Sequence, residues 1–205
     1  MHIIHGKKYN LDNFEHPGGN HILKLCKNEP DCTALFESYH AFCNMEKIST
    51  LMKKYEVGDT DVSMFSFKNE GFYNTCKQRV NAVLTYEETK ANTSWLITVL
   101  FSSTLFIFCQ YFLLYYNSGL IKGIMSILSG LSLVSVGYNI LHDGSHHSIS
   151  KHSIINEVFS DIIGSLMLLN HTLWSYHHCI RHHQYTGNHM MDPDMRNSQP
   201  FFRKT

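Results

Sequence analysis

Neither sign of charge dominates this chain. Lysine plus arginine and aspartate plus glutamate are balanced at seventeen each over 205 residues, so nothing in the charge balance marks a nucleic-acid partner. The six cysteines (Cys26, Cys32, Cys43, Cys76, Cys109 and Cys179) form no CxxC pair, which leaves reduced, unpaired thiols in the cytosol as the expectation. The start is polar and mixed from Met1 to Tyr9 and carries no secretory signal. Charge itself is nearly missing from one long stretch: between Ala91 and His142 only Lys122 is formally charged. The first ninety residues hold most of the acids and bases. That contrast predicts a soluble N-terminal module joined to a membrane-embedded part.

Histidine is abundant and concentrated. Of fifteen histidines, nine fall between 142 and 183, and seven of these form two tight groups: His142, His146 and His147, then His177, His178, His182 and His183. Neutral imidazole is the commonest metal-ligand side chain. The first group directly follows an apolar run, and ionisable groups at the edge of a membrane span are functional-site candidates.

Two further histidines stand upstream. His16 lies in Asn13-Phe14-Glu15-His16-Pro17-Gly18-Gly19, where two glycines allow close backbone approach to a bulky planar ligand and proline stiffens the turn. His40 follows Leu35, Phe36 and Tyr39, whose spacing predicts a helix. Either histidine alone is explained by a surface or satisfied core position. As a pair they suit a haem iron held from both sides, a coordination that favours electron transfer over O2 binding. Over residues 2–60 the sequence resembles cytochrome b5: the His16-Pro17-Gly18-Gly19 motif, the Asp31-Cys32-Thr33-Ala34-Leu35-Phe36 stretch before His40, and Tyr55-Glu56-Val57-Gly58 at the close. The resemblance implies haem b with His16 and His40 as axial ligands, and Leu23, Leu35 and Phe36 against the haem. That family normally has about one more strand and a helix before Ile3-Ile4-His5-Gly6, so a marginal haem fold is expected, small domains burying little core.

Residues 61–94 read as a linker from Asp59 to Asn69, then an interfacial or connecting helix over 71–91. Asn92-Thr93-Ser94 matches a glycosylation sequon that a cytosolic location would leave silent. Trp95 to Tyr116 is a run of 22 apolar or weakly polar residues, long enough at roughly 33 Å to cross the hydrocarbon core. A turn at Asn117-Ser118-Gly119 leads to a second run, Leu120 to Leu141. There Gly123, Gly130 and Gly137 recur every seven residues, predicting a small-residue stripe for close helix packing. Two spans joined by a tight turn put both outer ends on one side. Lys68, Lys77, Arg79 and Lys90 before the hairpin, and Lys151, Arg181, Arg203 and Lys204 after it, assign that side to the cytosol. The soluble alternative is two buried core helices.

His142 and His146 are four residues apart, on one helical face, with Asp143 as a ligand or as an acceptor orienting an imidazole. Ile154 to Leu169 carries paired apolar residues opposite Glu157 and Asp161, an amphipathic helix suited to a membrane surface. His178 and His182 repeat the four-residue spacing, with His183 adjacent; His147, His171 and His177 have no assigned role. Zinc has no redox chemistry and would not need a haem carrier, whereas many imidazoles suit a redox iron site.

Together these features resemble the membrane fatty-acid desaturases of the cytochrome b5-fusion, front-end type. The resembling residues are His142-Asp143-Gly144-Ser145-His146, His178-Cys179-Ile180-Arg181-His182-His183, Tyr185-Thr186-Gly187-Asn188 and Asp192-Pro193-Asp194. The resemblance implies an α+β haem domain at 1–60, a linker and connecting helix at 61–94, and an all-α membrane domain at 95–205 with one transmembrane hairpin plus an interfacial helix. It implies a non-haem di-iron centre served by His142, His146, His178, His182 and His183. It further implies O2, an acyl-lipid or acyl-CoA substrate, an NADH-cytochrome b5 reductase, and the endoplasmic reticulum membrane, with haem domain and histidines facing the cytosol. That family carries a third, Gln-x-x-His-His box after two more spans. The sequence ends at Thr205 without it, so the expectation is an incomplete di-iron shell and no desaturation by this chain alone. Two other readings stay open: a sphingolipid desaturase or fatty-acid 2-hydroxylase, and a membrane-anchored haem electron carrier without di-iron catalysis.

Overall fold

A computed structural model describes residues 1–197, and the side chains of residues 1–195. Arg203 and Lys204, counted above for orientation, lie outside the described residues. The chain divides into two compact units, one of residues 1–86 with 175–205 and one of residues 87–174.

The first unit opens with a hairpin. β1 (His2–Ile4) and β2 (Lys7–Tyr9) pair antiparallel, His2 opposite Tyr9 and Ile4 opposite Lys7. Only His5 and Gly6 lie between them, both at positive φ (51° and 71°), the backbone twist that a two-residue hairpin turn requires. β3 (Glu56–Asp59) adds to β2 antiparallel, completing the order β1-β2-β3. Three short helices lie between β2 and β3: α1 (His21–Leu25), α2 (Thr33–Tyr39) and α3 (Met45–Met52). Ile4, Tyr9, Leu11, Cys26, Cys32 and Leu35 form the core.

The polar stretch after β3 is not loose. The Met64 amide donates to the Asp31 carboxylate (2.7 Å). The next helix, α4, is shorter than the run over 71–91 predicts, spanning Phe72–Asn81. It packs back on this unit through Tyr73, whose hydroxyl donates to the Glu37 carbonyl (2.9 Å), and Lys77, which pairs with the buried Glu37 carboxylate (3.1 Å). The carboxylate at 37 also takes His5 Nε2 (2.9 Å), so a buried charge is doubly partnered, as burial demands.

The second unit is built on two long helices, α5 (Thr93–Tyr115) and α6 (Gly119–Val136). Asn92 caps the first by accepting from the Trp95 amide (2.9 Å), and Ser118 caps the second. They run antiparallel and meet through polar pairs: Ser102 with Ser135 (2.8 Å) and Gln110 with Ser129 (2.6 Å), beside the buried Cys109. The predicted glycine stripe is not the contact. A Cβ at Gly123 or Gly130 would meet no described heavy atom within 4 Å, and Gly137 faces Met167. Serine serves instead because it is nearly as small and its hydroxyl bonds across the interface. Nor are these buried core helices. Only 17% of the most apolar stretch of each is buried, and Leu96, Ile97, Phe101, Ile107, Leu114, Leu120, Ile127 and Leu131 are exposed. Both helices are long and apolar enough to cross a membrane.

Beyond α6 the helix widens into a π-helical turn, Gly137–His142, and closes with the short α7 (Asp143–Ser145). His147, at φ 55°, then reverses the chain as a helix-ending residue. α8 (Ser153–Leu166) follows. Its buried face is small and polar: Asn156, Ser160 and Gly164, each four residues apart. Ile154, Val158, Phe159, Ile162 and Leu166 are exposed. α9 (His171–Ser175) leads into a second π-helical segment, Tyr176–His182, closed by α10 (His183–Tyr185); α11 (Pro193–Asn197) is the last described element.

Candidate haem and iron-ligand sites

The axial candidates meet. The His16 and His40 rings are 5.7 Å apart between centroids, a gap into which one metal ion with bonds of roughly 2 Å to each nitrogen fits with little adjustment. Phe36 lies against His40 (4.6 Å) and Phe14 against His16 (5.9 Å). Leu23, Phe36 and Tyr55 are half-buried against the core that contains Leu35. Nδ1 of His40 is 2.7 Å from the Phe36 carbonyl. A carbonyl only accepts, so Nδ1 holds the proton and Nε2 keeps its lone pair for a metal. His16 is held from the other side by its own loop. The Gly18 amide points at its Nδ1 (3.0 Å), and a backbone hydrogen bond at Gly19 also acts on the ring. With Nδ1 accepting from Gly18, the neutral ring carries its proton on Nε2, and ligation through Nε2 requires that proton to move to Nδ1. A Cβ at Gly18 would sit 3.0 Å from His16 Cε1, so the motif's glycine is a steric requirement at this ring. Burial lowers both imidazole pKa values, helped at His16 by its neighbour His40. Both are therefore neutral near pH 7, the form that ligates metal. The donor set, its apolar walls and its glycine cradle fit a haem.

In the second unit, His142 ends the π-helical turn and His146 caps α7. Their rings are 4.8 Å apart on one face. Asp143 is placed to orient rather than to ligate. One carboxylate oxygen meets His142 Nδ1 (3.0 Å) and the other accepts from the Trp95 indole (3.0 Å), which also reaches the Asn139 carbonyl (3.1 Å). Trp95, at the start of the first apolar run, thus supports the histidine through Asp143. Gly144 is the close-approach point for α8: a Cβ there would fall 2.1 Å from Ser160 Oγ. His171 is buried and pairs with Asp161 (3.1 Å).

In the first unit, the π-helical segment changes which histidines pair. The spacing of four predicts His178 with His182. Their rings stack 5.8 Å apart, but His178 and His183 are closer, at 4.5 Å, with the two Nε2 atoms 3.1 Å from one another. A π-helix bonds residue i to i+5 and so aligns residues five apart. Two imidazole nitrogens converge in this way by sharing one proton or by turning both lone pairs to a cation. His182 Nδ1 is fixed by Asp192 (3.0 Å) and approached by Asp194 (3.3 Å), while His177 Nε2 meets Asp194 (2.7 Å). Burial alone would raise the Asp192 pKa; hydrogen bonds from His182 and from the Gly187 and Asp194 amides hold it at about 2. His177 therefore braces the acidic turn. Among the described residues, Asp192 is the orienting partner that spacing alone could not assign.

Comparison with known proteins defines the class. Residues 1–61 match the cytochrome b5-like haem/steroid binding domain and residues 117–205 match the fatty acid desaturase family. The chain is thus similar to a cytochrome b5 domain, which implies haem, in its first part, and to the fatty acid desaturases, a membrane-bound family that uses two irons, in its last part. Its relatives are front-end acyl-lipid desaturases. It is similar to acyl-lipid (8-3)-desaturase B of Dictyostelium discoideum (30% identity over 98% of this chain and 44% of the relative). It is also similar to the acyl-lipid (8-3)-desaturases of Physcomitrium patens (29%, over 98% and 44%) and Mortierella alpina (28%, over 98% and 46%). The chain spans a little under half the length of these relatives. No solved structure matches it.

Proposed function

We propose that the protein serves acyl-lipid desaturation, with residues 1–60 relaying electrons and residues 95–205 supplying imidazoles to an iron centre. The observation that carries this reading is the facing pair His16 and His40 in a chain that also builds two histidine groups on π-helical turns. The haem, when bound, supplies one-electron transfer, and the iron centre supplies O2 activation for removal of two hydrogens from an acyl chain. This chain's residues do the rest. His40 presents Nε2 because the Phe36 carbonyl holds its Nδ1 proton, and Gly18 leaves room for the His16 ring. Asp143 and Asp192 orient His142 and His182, and carboxylate partners of this kind raise ligand basicity. His142, His146, His178, His182 and His183 are the iron-ligand candidates.

The membrane reading follows from exposed apolar surface. α5 and α6 form a transmembrane hairpin, and the apolar face of α8 lies in the interface beyond it. Lysines and arginines flanking the hairpin favour the cytosolic side for its outer ends, in the endoplasmic reticulum membrane, where an NADH-cytochrome b5 reductase would supply electrons. Metal analysis and an acyl product assay on the membrane-reconstituted protein test the reading. Haem together with non-haem iron, and a new double bond in a fatty acyl chain, support it. Haem without non-haem iron makes the protein an electron carrier, and a hydroxylated product makes it a hydroxylase.

A further inference from the structure

The second histidine segment has two faces, and only one of them carries the imidazoles. Tyr176, Ile180 and Gln184 recur every four residues, with Cys179, Arg181 and Tyr185 beside them. This face is pressed onto the cytochrome b5-like core. Ile180 is completely buried among Ile4, Tyr9, Leu11, Cys26, Cys32 and Leu35. The Gln184 side-chain amide donates to the Asp31 carbonyl (2.7 Å). The buried Cys179 thiol lies beside the Tyr39 hydroxyl, and burial pushes the thiol up to about 12. Cys179 is thereby an uncharged, inert contact rather than a reactive thiol.

The polar centre of the contact is Glu29, 6% exposed. Its Oε1 accepts from the Tyr176 hydroxyl (2.9 Å), and its Oε2 accepts from Arg181 Nη1 (3.1 Å) and the Tyr185 hydroxyl (3.2 Å). The Arg181 guanidinium lies 5.1 Å over the Tyr185 ring. All three donors come from one ten-residue segment. A carboxylate buried with three donors, one of them cationic, is well satisfied; stripped of one it is costly. Tyr39 is covalently next to His40, so the same contact ties the helix bearing an axial ligand to the backbone next to His178.

Resting on the desaturase reading, we propose that the cytochrome b5-like unit carries a docking surface, centred on Glu29 and Tyr39, whose partner is this chain's own second histidine segment. Arg181, which the sequence offers only as a cytosolic charge within the box, is the clasp. The surface holds residues 176–185 so that His178, His182 and His183 are presented on the opposite face. A short helical segment is marginal by itself in water, so its order reports docking.

Hydrogen–deuterium exchange of the purified, membrane-reconstituted full chain tests this directly. In the wild type, amides 176–185 are protected. Arg181→Met and Tyr185→Phe should each speed their exchange, Arg181→Met by roughly tenfold or more, while β1 and β2 keep their protection. Combining Arg181→Met with Glu29→Gln should cost less than the two single effects together, because both remove one interaction. Wild-type amides 176–185 exchanging as freely as an unstructured peptide would overturn the proposal. So would an unchanged rate in both single variants, or strictly additive effects in the pair. The haem spectrum of the same samples separates the two readings. Lost haem with protection retained counts against the electron-relay reading alone; normal haem with an unprotected segment counts against the docking surface alone.

Discussion

At the scale of the residue, the arrangement turns on a few atoms with little tolerance. Gly18 stands where a methyl group would press on the His16 ring at 3.0 Å. Gly18→Ala should therefore tilt or displace that ring and weaken haem retention by roughly tenfold, a loss of about 1.4 kcal/mol within the usual range for overpacking; haem titration against the wild type measures it. Gly144 is tighter still, 2.1 Å from Ser160 Oγ and 3.0 Å from the Asn156 carbonyl for an added Cβ. Gly144→Ala should destabilise the second unit by about 1–3 kcal/mol, visible as a lower thermal midpoint in detergent.

His2 gives a pH signature away from any ligand. Burial pulls its pKa down, but the neighbouring Cys26 sulfur and the hydrogen bond to the Leu23 carbonyl outweigh it, and the folded value is raised above 6.5. The folded state thus holds the proton more tightly than the unfolded chain. The resulting stabilisation is complete below about pH 6.5 and is lost as pH rises through the folded value. The stability difference between wild type and His2→Leu should be larger at pH 6 than at pH 8 in paired urea titrations.

At the scale of the element, the sequence was legible where one physical rule dominated. The long, nearly charge-free runs forecast α5 and α6 because length and apolarity leave few alternatives. The helix around Leu35, Phe36 and Tyr39 followed from local chemistry. The π-helical turns were not legible. A spacing of four reads as ordinary α-helix, and nothing local announces that one extra residue enters the turn and brings His183, not His182, closest to His178. The glycine stripe misled for a related reason. Periodicity shows that Gly123 and Gly130 share a face, but not which face meets α5. Gly123→Leu and Gly130→Leu should leave the helix pair intact, whereas Ser129→Leu should disrupt it, since Ser129 accepts the Gln110 bond in a buried position. Thermal unfolding of the three variants in detergent separates the two interfaces, with a drop of about 1–3 kcal/mol expected for Ser129→Leu alone.

At the scale of the whole molecule, the two units bury opposite kinds of side chain. The first unit satisfies water: its carboxylates at 29, 31 and 37 are buried only with partners in place. The second unit inverts that rule, packing serine, asparagine and glycine inward and leaving isoleucine, phenylalanine and leucine outward. The contrast in charge marks where the two kinds of burial change along the chain, but the contribution of residues 175–185 to the first unit was hidden, because it joins positions some 150 residues apart. The central claim is that His16 and His40 jointly hold a haem that feeds this chemistry. Electron paramagnetic resonance of the oxidised, haem-loaded protein tests it most directly. A low-spin bis-imidazole signal in the wild type, lost in both His16→Ala and His40→Ala, is the predicted result. A wild-type protein without that signal, or a His40→Ala variant that keeps it, would contradict the account.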